Sequence, residues 1–187
     1  MVSLTTPAGT PGWLAPAFDL PGIDGRRHSP QSARGPLGLV VMFICNHCPY
    51  VKAVLDKIVR EADALSAIGV GSIAIMSNDP ADYPEDSFTE MKAVAERRRF
   101  GFPYVIDETQ HVARAYGAVC TPDFFGFDRD LKLVYRGRLD ASGRAPAPDA
   151  PRELFAAMAA IARGERAPTT QHPSIGCSIK WRSDGAQ

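Results

Sequence analysis

Apolar residues fill positions 37–44 except for one glycine, and this run predicts a buried central strand. Further along, hydrophobic side chains return every three or four positions over residues 49–68, which is the helical period. They are Val51, Val54, Leu55, Ile58, Val59, Ala62, Leu65 and Ile68. A second apolar run at residues 71–76 completes a β-α-β unit, which predicts two parallel strands with a right-handed crossover.

The rest of the chain adds antiparallel elements to this unit. Turn residues separate apolar stretches into a hairpin of residues 18–20 with 27–29, and another of residues 124–127 with 131–135. The pattern also predicts a helix opened by Pro84 and stopped by Gly101, a strand at 104–106, a helix at 108–116 capped by Asp107 with Gln110, and a last helix opened by Pro151. We therefore expect an α/β fold in which a mixed sheet has helices on both faces.

One domain is expected to span residues 1–187, with a flexible segment at 1–14 and an irregular tail at 165–187. Charged residues make up 22% and the formal net charge is zero, so we expect no nucleic-acid or membrane partner. The basic cluster Arg97–Arg99 lies at a predicted helix end, where it complements the helix dipole. The first residues lack the pattern of a signal peptide, which predicts a cytoplasmic location. The oligomeric state is left open.

The pair Cys45 and Cys48 lies where the central strand gives way to the first long helix. Free N–H groups and the positive end of the helix dipole collect there and stabilise a thiolate, the reactive form of cysteine. Cys45 is expected to be the exposed, low-pKa attacking thiol, and Cys48 the less exposed thiol that resolves a mixed disulfide. Pro49 then opens the helix, where its missing N–H donor is not needed.

A C-x-x-C pair has three interpretations: a redox dithiol, half of a zinc site, or two unrelated core cysteines. The chain has no second C-x-x-C, and Cys120 and Cys177 are isolated, so the redox interpretation is favoured and neither metal nor cofactor is expected. His47 lies between the paired cysteines. Either its protonated ring stabilises a thiolate at Cys45, or it is a solvated side chain without a role.

Several motifs together resemble the thioredoxin-like superfamily, in its redoxin branch of alkyl hydroperoxide reductase and thiol-specific antioxidant proteins. The resemblance covers roughly residues 15–163 and rests on three segments: A-P-A-F-D-L before Asp24-Gly25, C-N-H-C-P at 45–49, and T-P-D-F-F-G-F-D at 121–128. A narrower group of bacterial thioredoxin family proteins combines C-N-H-C-P-Y-V with Ser77-Asn78-Asp79, C-T-P-D-F-F and a C-terminal G-C-S-I-K-W. The resemblance implies a thioredoxin-like fold with a mixed sheet flanked by helices and an N-terminal β-hairpin extension.

The resemblance also implies that the Thr121–Pro122 peptide bond is cis and faces the dithiol. Thr121, Pro122 and Pro49 would then bind substrate, with an extended substrate segment pairing with the backbone of Thr121. Cys120 would lie near the C-x-x-C pair as a spectator, a second resolving thiol or a ligand. Cys177 would be a distant resolving thiol if the tail folds back.

The chain departs from better-known relatives in three ways. Ile44 replaces the tryptophan that precedes C-x-x-C in thioredoxins, the strand carries no carboxylate to accept a proton, and the peroxiredoxin pattern P-x-x-x-T-x-x-C is missing. Three hypotheses follow. The first is a thiol-disulfide oxidoreductase acting on a disulfide-bearing protein or small disulfide with a thiol reductant. The second is a thiol-dependent peroxidase, and the third is a metal-binding or copper-handling module using Cys45, Cys48 and His47.

Overall fold

The computed structural model describes residues 2–182, which form ten strands and five α-helices. The strands are β1 (Ser3–Thr5), β2 (Leu20–Pro21), β3 (Arg27–His28), β4 (Gly38–Phe43), β5 (Val70–Met76), β6 (Tyr104–Ile106), β7 (Cys120–Thr121), β8 (Asp123–Asp128), β9 (Leu133–Gly137) and β10 (Ile175–Ser178). The α-helices are α1 (Pro30–Ala33), α2 (Pro49–Ala67), α3 (Phe88–Arg98), α4 (His111–Tyr116) and α5 (Glu153–Ala162).

A mixed sheet of five strands, in the order β6-β5-β4-β8-β9, forms the centre of the fold. Strand β4 is its middle strand, parallel to β5 and antiparallel to β8. Every residue of β4 is buried, because helices cover both faces of the sheet. Val40 and Met42 face the core under α2, α3 and α5, whereas Leu39, Val41 and Phe43 face the core under α4. The predicted mixed sheet flanked by helices is confirmed.

Both predicted hairpins are also confirmed, as β2 with β3 and as β8 with β9. The starts of three helices, α3, α4 and α5, were predicted too early. Helix α3 begins at Phe88 because the Ser87 side chain accepts a hydrogen bond from the amide of Glu90, and Pro84–Asp86 forms a separate 3₁₀ helix before it. That short helix matters for the site because it ends on a completely buried carboxylate, Asp86.

The predicted capping box at the start of α4 is wrong. The Asp107 carboxylate does accept hydrogen bonds from the amides of Val112 and Ala113, at 3.3 and 2.9 Å. The Gln110 side chain, however, turns away from the helix and donates to the carbonyl oxygens of Ser77 and Lys180. Helix α4 therefore begins at His111, with Gln110 as its N-cap residue.

A second, three-stranded sheet with the order β1-β10-β7 joins the two ends of the chain. It corrects two expectations: part of the segment 1–14 is strand β1, and part of the tail 165–187 is strand β10. Pairing between residues so distant in sequence leaves little local signal, and three- or four-residue strands are too short to show alternation. Residues 183–187 of the predicted tail lie outside the described residues.

Within residues 2–182, no helix is both long enough and apolar enough to cross a bilayer.

Candidate active site

The turn between β4 and α2 carries Cys45 and Cys48. Cys48 is the N-cap residue of α2, and Pro49 is the first residue of the helix. Both thiols are free, and both are buried, with 1% and 0% of their surface exposed. The expectation of an exposed Cys45 is therefore wrong, and the reason lies in how the turn is held.

Asp86 holds this turn in its buried position through hydrogen bonds. Its Oδ1 accepts hydrogen bonds from the amides of Asn46 and His47, at 2.7 and 3.0 Å. Its Oδ2 accepts from Asn78 Nδ2 at 2.8 Å and lies 2.5 Å from His47 Nδ1. Four donor groups from three residues thus hold one completely buried carboxylate. The carboxylate fixes Asn46 and His47, the two residues that follow Cys45 in the turn.

These hydrogen bonds decide the charge of Asp86. Burial raises the pKa of its carboxyl, but the hydrogen bonds from His47 and Asn78 outweigh burial and hold the pKa below its ordinary value. Asp86 is therefore an anion at neutral pH in the middle of the site.

His47 is buried against this anion, with 7% of its surface exposed. Its ring stacks on Tyr83, with centroids 4.1 Å apart, and its Nε2 atom has no hydrogen-bond partner among the described residues. The interpretation of His47 as a solvated side chain is wrong, because the ring is enclosed between Asp86 and Tyr83.

Both thiols of the C-x-x-C pair contact Thr121, and their pKa values are shifted in opposite directions. The hydrogen bond from Cys45 lowers the pKa of Cys48 to about 4 despite burial, and bonds from Cys177 and from the amide of Val51 add to this effect. Burial is the main cause that raises the pKa of Cys45 well above its ordinary value, and the negative charge of Asp86 adds to it. The low pKa expected at Cys45 therefore belongs to Cys48, the N-cap residue of α2.

Thr121 and Pro122 lie on the other side of the two sulfurs, and the peptide bond between them is cis, as the resemblance implies. The hydroxyl of Thr121 is 3.2 Å from Cys45 Sγ, and its carbonyl oxygen lies 3.2 Å from Cys48 Sγ, from which it accepts a hydrogen bond when Cys48 is protonated. The missing sequence pattern suggested that no threonine accompanies the thiol. Thr121 supplies one from a distant part of the chain.

The backbone of Thr121 is already paired, because strand β10 runs antiparallel to β7 with Cys177 opposite Thr121. An incoming segment was expected in this position, and the chain's own tail fills it. The same pairing brings Cys177 towards Cys48, because Cys48 Sγ contacts the carbonyl oxygen of the paired residue Thr121. Cys120 is completely buried in β7, and burial raises the pKa of its thiol strongly.

Two cavities lie beside the cysteines. One of about 420 Å³ has Cys45 in its wall, together with Ile44, Asn46, Val51, Lys52, Glu85 and Arg98. Another of about 310 Å³ lies against Pro122 and is lined by Tyr50, Phe124, Arg144, Ser174 and Ile175. Cys45 therefore exposes almost none of its surface, yet it lines the first cavity. We take this cavity as the approach to the dithiol.

Cys45, His47 and Asp86 offer a sulfur, a nitrogen and an oxygen within 4.8 Å of one another, a donor set that suits a soft divalent ion. Both carboxylate oxygens of Asp86 and Nδ1 of His47 are already engaged in the hydrogen bonds described above. A metal ion could use the unpartnered Nε2 of His47, but at Asp86 it would have to replace these bonds, so the residues fit an internal network better than a metal centre.

Asn78 connects this network to the tail. Its side-chain amide donates to Asp86, and its Oδ1 accepts from the amide of Lys180 at 2.9 Å. The Lys180 carbonyl in turn accepts from the amide of Asp79 at 2.8 Å. The segments S-N-D and G-C-S-I-K-W were noted only as motifs, and their physical link was missed. Asp86 was missed as well, because it was assigned to the first turn of a surface helix.

Comparison with known proteins gives the same family. A family model described as AhpC/TSA family matches residues 11–136. An uncharacterized conserved protein from Geobacillus kaustophilus is 46% identical, with a TM-score of 0.92 and 98% of each chain covered. A hypothetical protein from Sinorhizobium meliloti is 37% identical, with a TM-score of 0.91 over 96% of this chain and 98% of that one. The comparison with curated proteins gives no match.

A more distant structure shares the fold. The thioredoxin domain of a thiol-disulfide oxidoreductase from Bacteroides vulgatus is 17% identical, with a TM-score of 0.57 over 69% of this chain and 89% of that one. The predicted superfamily and redoxin branch are confirmed, and a redox function of the thioredoxin-like kind follows. The narrower group with C-N-H-C-P-Y-V stays a prediction.

Proposed function

We propose that the chain, which belongs to the AhpC/TSA family, catalyses thiol–disulfide exchange through a dithiol/disulfide couple of Cys45 and Cys48. One observation supports the proposal: both sulfurs lie at the start of α2, each 3.2 Å from an oxygen atom of Thr121, and the pKa of Cys48 is lowered to about 4. A thiolate beside a thiol in this position has the charge and the partner that exchange requires.

Exchange begins at Cys45, because Cys45 lies in the wall of the larger cavity. In the reducing direction, the Cys45 thiol passes its proton to Cys48 and attacks one sulfur of a substrate disulfide, whose other sulfur leaves as a thiolate. The proton on Cys48 then moves to that thiolate, and Cys48 attacks Cys45 Sγ. The substrate leaves with one thiol and one thiolate, which takes a proton from water, and the enzyme holds a Cys45–Cys48 disulfide. Two thiols of a reductant reverse these steps.

The charge on Cys48 favours the direction in which the enzyme disulfide accepts electrons. An incoming thiolate attacks Cys45 Sγ, and Cys48 leaves as a thiolate that the amide of Val51 and the neighbouring thiols stabilise. A leaving thiol of low pKa leaves faster, and a stabilised reduced form makes the disulfide a stronger oxidant. We therefore infer an oxidising poise relative to thioredoxin. The partners are a protein or small molecule that bears thiols or a disulfide.

Serine variants test the couple directly. We expect Cys45→Ser to abolish exchange with oxidised glutathione and with a small dithiol. Cys48→Ser is expected to accumulate a mixed disulfide at Cys45, visible as a mass increase that dithiothreitol removes. Cys120→Ala is the matched control, since it removes a buried thiol of the same region outside the pair. Wild-type exchange rates in both serine variants would refute the proposal.

The second candidate function is peroxide reduction, and the contact of 3.2 Å between Thr121 Oγ1 and Cys45 Sγ favours it. Here Cys45, deprotonated by Cys48, attacks one oxygen of a hydroperoxide, an alcohol leaves, and Cys45 becomes a sulfenic acid. Cys48 then displaces water and forms the same disulfide. Thr121→Val separates the two functions, because it removes the hydroxyl beside Cys45 without changing the dithiol. Loss of hydroperoxide consumption with retained disulfide exchange would support a peroxidase.

A further inference from the structure

Strand β10 holds the third cysteine of the site in a fixed position. It is the middle strand of the small sheet, with Cys177 opposite Thr121 on one side and opposite Ser3 on the other. Backbone hydrogen bonds continue on both strands: the amide of Ser178 donates to the carbonyl of Val2, and that of Ile179 to the carbonyl of Val119. Cys177 is therefore built into a sheet rather than carried on a loose tail.

The approach of β10 to the Thr121–Pro122 peptide depends on Gly176. A Cβ atom at this position would lie 2.0 Å from the Thr121 carbonyl oxygen and 3.1 Å from the Pro122 nitrogen, which is far inside contact distance. Only glycine lets the strand come this close to the dithiol. The sequence neighbour Cys177 is thereby brought over Cys48.

Further contacts fix the tail on both flanks of β10. Before the strand, Ser174 Oγ donates to the carbonyl of Gly137 at 2.7 Å, and the amide of Ser174 donates to Thr6 Oγ1 at 3.0 Å. After it, the amide of Lys180 donates to Asn78, which also holds Asp86. The position of Cys177 is thus tied to the same network that fixes Cys45.

Cys48 is the neighbour that Cys45 and Cys177 have in common. Its sulfur lies 3.2 Å from the carbonyl oxygen of Thr121, whose hydroxyl is 3.2 Å from Cys45 Sγ and which pairs with Cys177 in the small sheet. The nearness of the Cys45 and Cys177 thiols lowers the pKa of Cys48. Cys177 is 1% exposed, so its thiol meets this neighbour in a nearly closed space. Two thiols placed on one central sulfur are two alternative disulfide partners for it.

Resting on the proposed function, we propose that Cys177 is a third redox-active thiol, which takes over the disulfide from Cys45 by forming a Cys48–Cys177 bond. The Cys177 sulfur attacks Cys48 Sγ of the Cys45–Cys48 disulfide. The bond between Cys48 and Cys177 forms as the bond to Cys45 breaks, and the proton of Cys177 passes to Cys45. One disulfide is lost and one is gained, so the step needs no further oxidant or reductant.

The electrostatics of Cys177 fit this order of events. Burial, followed by the hydrogen bond and charge of Cys48, raises the pKa of Cys177 to about 12 in the reduced protein, while Lys180 and Arg144 act in the opposite direction. Once Cys48 is part of a disulfide it carries no charge, and its share of this effect disappears. Cys177 is therefore a poor nucleophile in the reduced protein and a better one after oxidation.

The transfer has a consequence for the cavity of Cys45. It returns Cys45 to the thiol form while the oxidising equivalent is kept between α2 and β10. The second cavity is lined by Pro122 and by Ile175, which lies two residues before Cys177 in β10. Oxidation received on the Cys45 side is in this way passed to the side of the small sheet.

Disulfide mapping tests the relay independently of activity. The protein is oxidised with glutathione disulfide, quenched in acid, alkylated, digested and analysed by mass spectrometry. Wild-type protein is expected to give two disulfides, Cys45–Cys48 and Cys48–Cys177. Because both use Cys48, any single chain holds only one of them. Cys45→Ser is expected to give Cys48–Cys177 alone, and Cys177→Ser to lose that pair completely. Cys45→Ser combined with Cys120→Ala is the matched control and is expected to keep Cys48–Cys177.

The outcomes separate this proposal from the one it rests on. If wild-type protein forms Cys45–Cys48 but neither it nor folded Cys45→Ser gives Cys48–Cys177, the relay is overturned and the exchange function stands. If Cys48–Cys177 forms but Cys48→Ser collects no mixed disulfide at Cys45, the exchange function is overturned, and the relay with it. Circular dichroism of each variant verifies that the compared proteins are folded.

Discussion

The Cys48 sulfur separates two regions that are built differently. On one side, the turn with Cys45 is held by a single ionised side chain, Asp86, through three hydrogen bonds, and a fourth joins Asp86 to Asn78. On the other side, Cys177 is held by the backbone pairing of β10 with β1 and β7, and by the absence of a side chain at Gly176. The geometry of the first region therefore depends on charge, whereas the geometry of the second depends on shape.

The largest expected effect comes from removing the charge of Asp86. Asp86→Asn places amide N–H donors where Asn78 and His47 contact the carboxylate, and we expect it to lower the free energy of unfolding by about 3 kcal/mol at neutral pH. The pKa of Asp86 is lower in the folded protein than in the unfolded chain, so the stabilisation is present at neutral pH and is lost as the pH falls through the folded pKa. Urea unfolding at several pH values measures this, and the gap to wild type should narrow in acid.

Asp123→Asn is the control, because Asp123 is also completely buried but is paired with Arg136 on the other face of the sheet. Both variants are expected to be destabilised, but only Asp86→Asn should lower the pKa of Cys45. Thiolate absorbance in the Cys48→Ser background measures the pKa of Cys45. If Asp86→Asn leaves this pKa unchanged, the role of charge in the turn is contradicted.

Shape is tested at Gly176. Gly176→Ala forces β10 away from Thr121, and we expect a loss of about 2 kcal/mol in the free energy of unfolding, as for overpacked cores. In the Cys45→Ser background it should also diminish the Cys48–Cys177 disulfide. Gly143→Ala is the matched control, since a Cβ there meets no described atom within 4 Å. Equal effects of the two alanines would show that close packing of β10 is not required.

A smaller effect is expected from His47. Without its ring the negative charge of Asp86 is less compensated beside the thiols, so the reduced form is less stable. His47→Ala is predicted to lower the reduction potential by about 30 mV, which is tenfold in the equilibrium constant for a two-electron couple. Equilibration with a glutathione buffer measures it, and exposed His111→Ala serves as the control. A potential unchanged or raised in His47→Ala would contradict this account.

The two regions also differ in how much of their structure could be predicted from the sequence. The strand β4, the helix α2 and the pair Cys45 and Cys48 follow from local patterns, because an apolar run and a helical period are written in adjacent residues. Asp86 lies 38 residues after Cys48, and no local pattern shows that its carboxylate turns inward.

The position of Cys177 was harder still to derive. Strands β1, β7 and β10 have only two to four residues each, and their pairing joins residues from both ends of the chain. The resemblance pointed to Thr121 and Pro122 as a place for an extended segment, but it did not reveal that the chain's own strand fills it. The pKa of Cys48 is lower than that of Cys45 because of burial and hydrogen-bond partners, and the spacing of the two cysteines carries no information on either.

The pH dependence of the reduction potential tests the central claim most directly, namely that Cys48 carries the negative charge of the reduced site. With Cys48 ionised and its partner thiol protonated, reduction of the disulfide takes up two electrons and one proton. The potential of the wild-type protein should then fall by about 30 mV per pH unit between about pH 5 and about pH 8. A slope of about 60 mV per pH unit, corresponding to two protons, would show that Cys48 is protonated and would contradict the account.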